Sequence, residues 1–463
     1  MSRGICWIRR DLRLNDHRAL FEACSQFESV AVVFVFDTQI LDHIHNRQDR
    51  RLTFILESLR ELDTNLRAKG SELLVLHGDP VHEIPKIAKA LEVQGVVTGR
   101  DFEPYALKRD SEVGSKLKQI GFNFQTVKDQ VIFEKDEVLS KTNSPFRVFT
   151  PYSRRWLELF QAKVDAAVYD PNLDHLMPGS EIHPHSIGLD YEKINFEKSD
   201  LWLDTGEEAG LKLLKSFTKK IDDYRNSRDF PALSGTSHLS IHLRFGTVSI
   251  REAVRTAIRY ESEGGRTWLK ELIWREFYQD ILAHFPEVVE TTFDPQYREL
   301  EWPGTDEHFQ LWCEGKTGYP IVDAAMRCFN ETGWMHNRLR MIVASFLTKD
   351  LLVDYRKGEQ YFVDNLLDFD LASNSGGWQW AASVGCDSQP YFRIFNPYLQ
   401  SQKFDPEGKF IRKWVPELAD LDKESIHQPT GFEILETGYV EPIVQHDIQR
   451  KRAIAMFEMF RRT

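Results

Sequence analysis

Two short segments of this chain hold an unusual density of groups able to do chemistry. Trp334-Met335-His336-Asn337-Arg338-Leu339-Arg340-Met341 is followed, after an apolar stretch, by Asp368-Phe369-Asp370-Leu371-Ala372-Ser373-Asn374-Ser375-Gly376-Gly377-Trp378-Gln379-Trp380. Amides, guanidinium groups, carboxylates and indoles crowd between flanks patterned as buried helix. Charge is costly to bury unless it is paired or bound to something polar, so the pattern points to a large, polar, aromatic ligand. At helical spacing Asn337, Arg338 and Met341 can face one cavity, whereas Arg340, two residues after Arg338, must point elsewhere. Two arginines on diverging faces suit two anionic partners. A nucleic-acid phosphate fits Arg338, and a buried carboxylate, Asp368 or Asp370, fits Arg340.

A second segment, Lys270-Glu271-Leu272-Ile273-Trp274-Arg275-Glu276-Phe277-Tyr278, puts Glu271, Trp274, Arg275 and Tyr278 at i, i+3, i+4 and i+7, on one helical face. Leu272, Ile273 and Ile281 lie around the wheel and anchor it. An acid, an indole, a guanidinium and a phenol together suit a planar heterocycle beside a phosphate: the indole stacks, Arg275 pairs the charge, Glu271 hydrogen-bonds. An ordinary surface salt-bridge face with a half-buried tryptophan has the same periodicity. A third string, from Tyr224 through Arg228 to Gly235-Thr236-Ser237-His238-Leu239-Ser240, offers backbone and hydroxyl donors of the kind that hold phosphate, or simply cap a helix.

These segments need a frame. The chain has 463 residues, 41% hydrophobic and 28% charged, ordinary for a globular protein with room for two or three domains. No apolar run reaches the roughly 18 residues of a membrane span, and the start lacks a secretory signal, which predicts a cytoplasmic protein. The five cysteines (Cys6, Cys24, Cys313, Cys328, Cys386) are far apart and form no C-x-x-C pair, which argues against a zinc site or an iron–sulfur cluster and for buried free thiols; no metal is expected. The net charge of −12 bears on solubility rather than on where a ligand binds. Basic residues at 225, 228, 275, 338 and 340, at 403, 409, 412 and 413, and at 450–452 can form one positive surface on an acidic body.

Residues 1–130 alternate strand-like runs (5–8, 30–36, 73–76, 96–98, 122–127) with amphipathic helices such as 51–67 and 84–91. That alternation predicts a doubly wound parallel α/β sheet, Rossmann-like but without G-x-G-x-x-G after its first strand. Residues 131–203, broken by Pro145, Pro151, Pro171, Pro178 and Pro184, read as an interdomain connector with one helix around 153–164. Residues 204–463 read as an all-α domain carrying most of the chemistry.

The motifs at 272–278, 318–327, 333–341, 374–380 and 391–397, with Trp7-Ile8-Arg9-Arg10-Asp11-Leu12-Arg13, resemble the DNA photolyase/cryptochrome family, most closely its microbial class I cyclobutane pyrimidine dimer photolyases. The resemblance implies an N-terminal antenna domain and a C-terminal helical domain binding FAD and DNA. It implies that Tyr224, Thr236, Ser237, His238, Leu239, Ser240 and Trp268 surround the FAD phosphates and adenine. The family usually has a longer basic residue at the position of His238. Asp368 and Asp370 would contact the isoalloxazine and ribityl region, with Arg340 paired to Asp368, and Asn374 would face flavin N5. Plant cryptochromes carry aspartate there, and animal ones cysteine. The implied lesion pocket is Glu271, Trp274, Asn337, Arg338, Met341 and Trp380, with Tyr278 on the same helical face and Arg228, Arg275 and Gln400 along the DNA strand. Six-four photolyases have histidines at the positions of Asn337 and Met341, so six-four repair is disfavoured.

The implied reaction is light-driven repair of pyrimidine dimers in ultraviolet-damaged DNA, by electron transfer from excited reduced FAD to a flipped-out dimer. Glu271 would stabilise the dimer radical anion. The family's electron relay has three tryptophans, and the matching residues here are Trp378, Tyr355 and Trp302, so the tyrosine predicts slower photoreduction. An antenna chromophore is implied too. Residues 101–110 with 36–41 resemble members that bind a deazaflavin or a flavin more than those that bind methenyltetrahydrofolate. A monomer is expected. The competing reading is a cryptochrome-like blue-light receptor, against which stand the intact lesion set and Asn374.

Overall fold

The computed structural model describes residues 2–461, whose contacts divide into two compact units. The first takes in the residues up to Pro145 with Tyr152–Asp222 and Ser237–His284, and the second takes in Phe146–Pro151, Asp223–Thr236 and the residues from Phe285 onward.

The first unit is built on a parallel sheet of β1 (Arg3–Ile8), β2 (Ser29–Asp37), β3 (Leu74–Gly78), β4 (Gly95–Gly99) and β5 (Asn123–Val127), in the order β3-β2-β1-β4-β5. The apolar runs expected to be strands all are. Every residue of β2 is buried, because helices cover both faces of such a sheet and no polar side is needed. In register, Trp7 of β1 lies between Val33 of β2 and Thr98 of β4. Helices α1 (Arg50–Arg67), α2 (Pro80–Ala90) and α3 (Pro104–Gln119) fill the crossovers. Asp49 and Asp79 start α1 and α2 by accepting the N–H groups of Arg51 and Val81, so each satisfies an otherwise unpaired helix donor. Strand order reverses at β1 and β4, and in open sheets the crevice at the carboxyl ends of the strands opens at such a point.

Residues 152–222 are stitched to this unit rather than loose. Met177 N–H donates to Val30 O at 2.8 Å and Ile187 N–H to Val75 O at 2.9 Å. The helix expected around 153–164 runs over Phe149–Leu159, and a separate turn follows at Ala162–Asp165. Gln161 interrupts them in an extended conformation, its N–H taken by the Asp165 carboxylate at 2.7 Å. Buried charge also locks the unit together. Arg13 pairs with Asp129 at 2.7 Å, Arg251 with Asp16 at 2.9 Å and Asp129 at 2.8 Å, and Arg255 with Asp16 at 2.7 Å. Burial alone would raise the Asp129 carboxyl, but Arg13 and Arg251 hold it well below the usual range.

Every named element after β5 is helical. In the first unit the long helix α4 (Glu263–His284) carries the segment 270–278. In the second, α5 (Asp306–Glu314), α6 (Asn337–Ser345), α7 (Tyr355–Asn365), α8 (Leu371–Ala382) and α9 (Pro397–Phe404) surround a core that includes Trp312, Tyr319, Phe329, Phe346, Tyr355 and Trp378. The packing of α7 on α8 depends on a glycine. A Cβ at Gly358 would fall 2.2 Å from Cη2 of Trp378, so only hydrogen fits beneath the indole. The five cysteines are free and buried.

Candidate functional site

In the second unit, His336 caps α6 by accepting the Arg338 N–H at 3.2 Å, which fixes where the next residues point. Arg338 and Arg340 diverge, as their spacing requires, and each finds a carboxylate. One Arg340 nitrogen reaches both oxygens of Asp368, at 3.0 and 2.8 Å, and Nε donates to Met335 O at 2.8 Å. Arg338 pairs with Asp229 at 2.9 Å and lies over the Phe404 ring of α9, 4.3 Å from its centroid. Asp229 was not foreseen, since it stands 109 residues away in sequence and no local pattern announces it. Asn337 is exposed, and Met341 and Gln400 are half-buried.

Asp370 starts α8 by accepting the Ser373 N–H at 3.0 Å. Asn374 follows on the first turn, buried, its amide donating to Glu359 O of α7 at 3.2 Å. Burial pushes the Glu359 carboxyl up to about 7 against the opposing effect of the Ser375 hydroxyl. Further along α8, Trp378 is buried and Trp380 packs, partly covered, on the core. Tyr224 is buried beneath Arg228, whose guanidinium lies 5.5 Å from the phenol ring centroid.

In the first unit α4 presents the face expected of it. Glu271, Trp274, Arg275 and Tyr278 are the half-buried positions, while Leu272, Ile273 and Phe277 are buried. The Trp274 ring lies 5.6 Å from both Phe277 and Tyr278, and Arg275 donates to Gln130 O at 2.8 Å. Glu276, missed in the sequence, anchors the helix. Its carboxylate accepts the N–H groups of Ile132 at 2.6 Å and Phe133 at 3.0 Å, and the Trp156 indole N–H at 2.5 Å. Complete burial nevertheless pushes this carboxyl up to about 7. The signal was legible: Glu276 lies three and four residues after Ile273 and Leu272, on the apolar side. Trp268 is buried against Phe217. His238 has a left-handed backbone, φ 54°, and burial with nearby Lys220 lowers its imidazole to about 4, so it is neutral at physiological pH. Ser237 accepts the Leu239 N–H at 3.4 Å, and Ser240 begins the short helix Ser240–Phe245.

Where the sheet order reverses, the strings singled out for an antenna meet. Arg9 pairs with Asp110 at 2.6 Å, the Tyr105 hydroxyl donates to Asp37 at 2.7 Å, and Arg109 reaches Asp110 at 3.1 Å. Arg9 and Arg109 lie 4.6 and 5.0 Å from the Trp7 ring centroid, and the Trp7 indole N–H is buried without a protein partner.

Residues 4–171 match the family model described as DNA photolyase, and residues 268–459 the one described as the FAD binding domain of DNA photolyase. A Vibrio cholerae protein named deoxyribodipyrimidine photo-lyase is 40% identical, over 98% of this chain and 99% of that one. This chain belongs to the DNA photolyase family. The Escherichia coli photo-lyase is 38% identical over the whole of both chains. Among solved structures, a bacterial class III photolyase from Agrobacterium tumefaciens superposes with a TM-score of 0.91 at 34% identity, covering 100% of this chain and 98% of that one. A Synechocystis cryptochrome superposes at 0.88 with 27% identity, over 98% and 99% of the chains. An archaeal photolyase from Sulfolobus tokodaii, described with two FAD molecules, gives 0.86 at 32%, over 99% and 100%. Photolyase and cryptochrome share this architecture, so side chains must separate repair from light sensing.

The residues present fit the FAD that the photolyase model describes. Thr236 Oγ1 is buried without a protein partner. No heavy atom lies within 4 Å of where a Cβ on Gly377 would stand, so the α8 face that Gly377 shares with Asn374 is open. The Arg340–Asp368 pair supplies matched charge just ahead of that helix.

Proposed function

We propose that this photolyase repairs cyclobutane pyrimidine dimers in DNA, using light and FAD. The observation that carries this reading is the full-length family match together with the α6–α8 side chains: the Arg340–Asp368 pair, Asn374, and the free-standing amide of Asn337. When bound, reduced FAD supplies the light-excited electron that opens the cyclobutane ring. Tyr224, Thr236, Ser237, His238, Leu239, Ser240 and Trp268 serve its phosphates and adenine. Asp368, Asp370 and Arg340 serve its isoalloxazine and ribityl portions, and Asn374, a neutral amide, presents hydrogen-bonding groups to N5. His238 meets a phosphate through its imidazole N–H, and acidification strengthens that contact.

Trp274 stacks on the flipped-out dimer, whose poor stacking in the duplex makes extrusion less costly than for a normal base. Glu271 hydrogen-bonds the dimer carbonyl and stabilises charge that develops there. Asn337, Met341, Tyr278 and Trp380 complete recognition of the lesion. Arg228, Arg275, Arg338 and Gln400 hold the strand, the arginines through phosphates. Trp302, Tyr355 and Trp378 relay electrons that return oxidised FAD to its working state. Residues 1–130 carry an antenna, a deazaflavin or flavin by the resemblance of residues 36–41 and 101–110, with methenyltetrahydrofolate as the alternative. Residues 131–203 connect, and 204–463 carry FAD and DNA. The protein acts as a cytoplasmic monomer; among the described residues no helix is long and apolar enough to cross a membrane.

The test is direct. A dimer-containing oligonucleotide is incubated with reduced protein in blue light, and the return of thymine absorbance is followed. Recovery is expected. No recovery, with FAD bound and reduced, would overturn repair in favour of a light receptor.

A further inference from the structure

The aromatic rings around Trp378 do not form a single line. Among the described residues, no ring contact joins Trp378 to Tyr355, although Tyr355 meets Trp302 at 6.4 Å. Trp378 instead touches Trp312, edge to face, at 6.1 Å and 70°. Trp312 in turn touches Tyr361 at 5.8 Å and 66°. Centroid separations of about 4.5–7 Å are those of aromatic rings in contact, so no other group intervenes at either step.

We propose that Trp378, Trp312 and Tyr361 form a second electron route from the protein's outer side to the flavin. The proposal rests on the flavin reading above, and on the way the two tyrosines differ. Tyr355 is only 2% exposed, its hydroxyl 3.3 Å from that of Thr292, and a hydroxyl neighbour in the core offers a phenolic proton no path to water. Tyr361 is half-buried and donates to Asn330 Oδ1 at 2.7 Å. Burial raises both phenols, Tyr361 to about 12. Each must therefore shed its proton as it is oxidised, and only Tyr361 stands near solvent to do so. Between the ends, Trp312 is fully buried and its indole N–H donates to Val343 O at 3.1 Å. That carbonyl dipole steadies a transient positive charge on the ring.

Trp378 gives one electron to the photoexcited oxidised flavin. Trp312 refills Trp378, and Tyr361 refills Trp312. Tyr361 loses its phenolic proton to water and becomes a neutral tyrosyl radical. An external thiol then returns one hydrogen atom to it and leaves as a thiyl radical.

The full chain with oxidised FAD is illuminated with thiol present for flavin bleaching rates, and frozen under light without thiol for electron paramagnetic resonance. Ring-deuterated tyrosine identifies tyrosyl signals. Tyr355→Phe is expected to keep more than half of the bleaching rate and most of the tyrosyl signal. Tyr361→Phe is expected to lose most of that signal, and Trp312→Phe combined with Tyr355→Phe to lose both readouts. An unchanged tyrosyl signal in Tyr361→Phe, or its complete loss in Tyr355→Phe, overturns the route. Should Trp312→Phe fail to fold, by flavin content and near-ultraviolet circular dichroism, Tyr361→Phe alone decides. Dimer splitting by chemically reduced wild-type protein tests the repair reading separately, since that assay needs no photoreduction.

Discussion

Glu276 offers the sharpest quantitative test. Two effects oppose each other at its carboxylate: three N–H donors favour the ionised form, and complete burial favours the protonated one. Burial wins, raising the group from 4.5 to about 7. An acid that binds its proton more tightly when folded contributes stability that is full below its unfolded value and lost as pH rises through its folded one. The window therefore runs from about 4.5 to about 7. At about 1.4 kcal/mol per pH unit, the wild type should lose roughly 2–3 kcal/mol from this group between about pH 5 and pH 8. Glu276→Gln removes the titration while keeping the shape, at a constant cost of roughly 1–3 kcal/mol for the mispaired donor. Hydrogen exchange at the Ile132 and Phe133 amides, which donate to this carboxylate, reads the effect locally, once corrected for intrinsic rates. The wild-type protection should fall with pH relative to the variant. Parallel pH courses would refute the reasoning, and protection rising with pH in the wild type alone would mean that the three donors outweigh burial.

Gly358→Ala drives a methyl into the Trp378 ring; overpacking of this kind costs roughly 1–3 kcal/mol, and lower melting with altered near-ultraviolet circular dichroism is expected. Trp274→Ala should weaken binding to dimer-containing DNA by roughly 1–3 kcal/mol, about 5- to 150-fold, with flavin content unchanged; loss of flavin instead would make Trp274 a core residue. Asp229→Asn removes the carboxylate that competes with a DNA phosphate for Arg338, so affinity for DNA should rise, whereas Arg338→Ala should lower the salt slope by about one phosphate contact. An unchanged salt slope in Arg338→Ala would show that Arg338 does not meet a phosphate.

The parts of the fold that were legible are those governed by local pattern. The five strands announced themselves as β-branched runs, and the α4 face of Glu271, Trp274, Arg275 and Tyr278 followed from helical spacing alone. The divergence of Arg338 and Arg340 was legible for the same reason. Partners were not, because pairing is tertiary. Asp229 reaches Arg338, and Trp312 reaches Trp378, across long stretches of sequence with no periodicity to link them. Glu276 was overlooked because an acid beside an arginine reads as surface, although its position on the wheel was apolar. Gln161 broke an expected helix through one side-chain hydrogen bond, which propensity does not foresee.

The buried ion pairs of the first unit bear on how the chain is made. Arg13, Asp16 and Asp129 emerge early from the ribosome, but Arg251 and Arg255, which neutralise the two acids, emerge much later. Synthesis proceeds at roughly 5–20 residues per second, so for several seconds the nascent sheet holds Asp16 without the cations that make its burial tolerable. A buried charge stripped of its partner costs roughly 3–5 kcal/mol, enough to keep the early chain from closing. Fragments ending before Arg251 should accordingly be bound by chaperones or insoluble, and fragments that include it should be soluble. The first unit can close around these acids only after Arg251 and Arg255 have been translated.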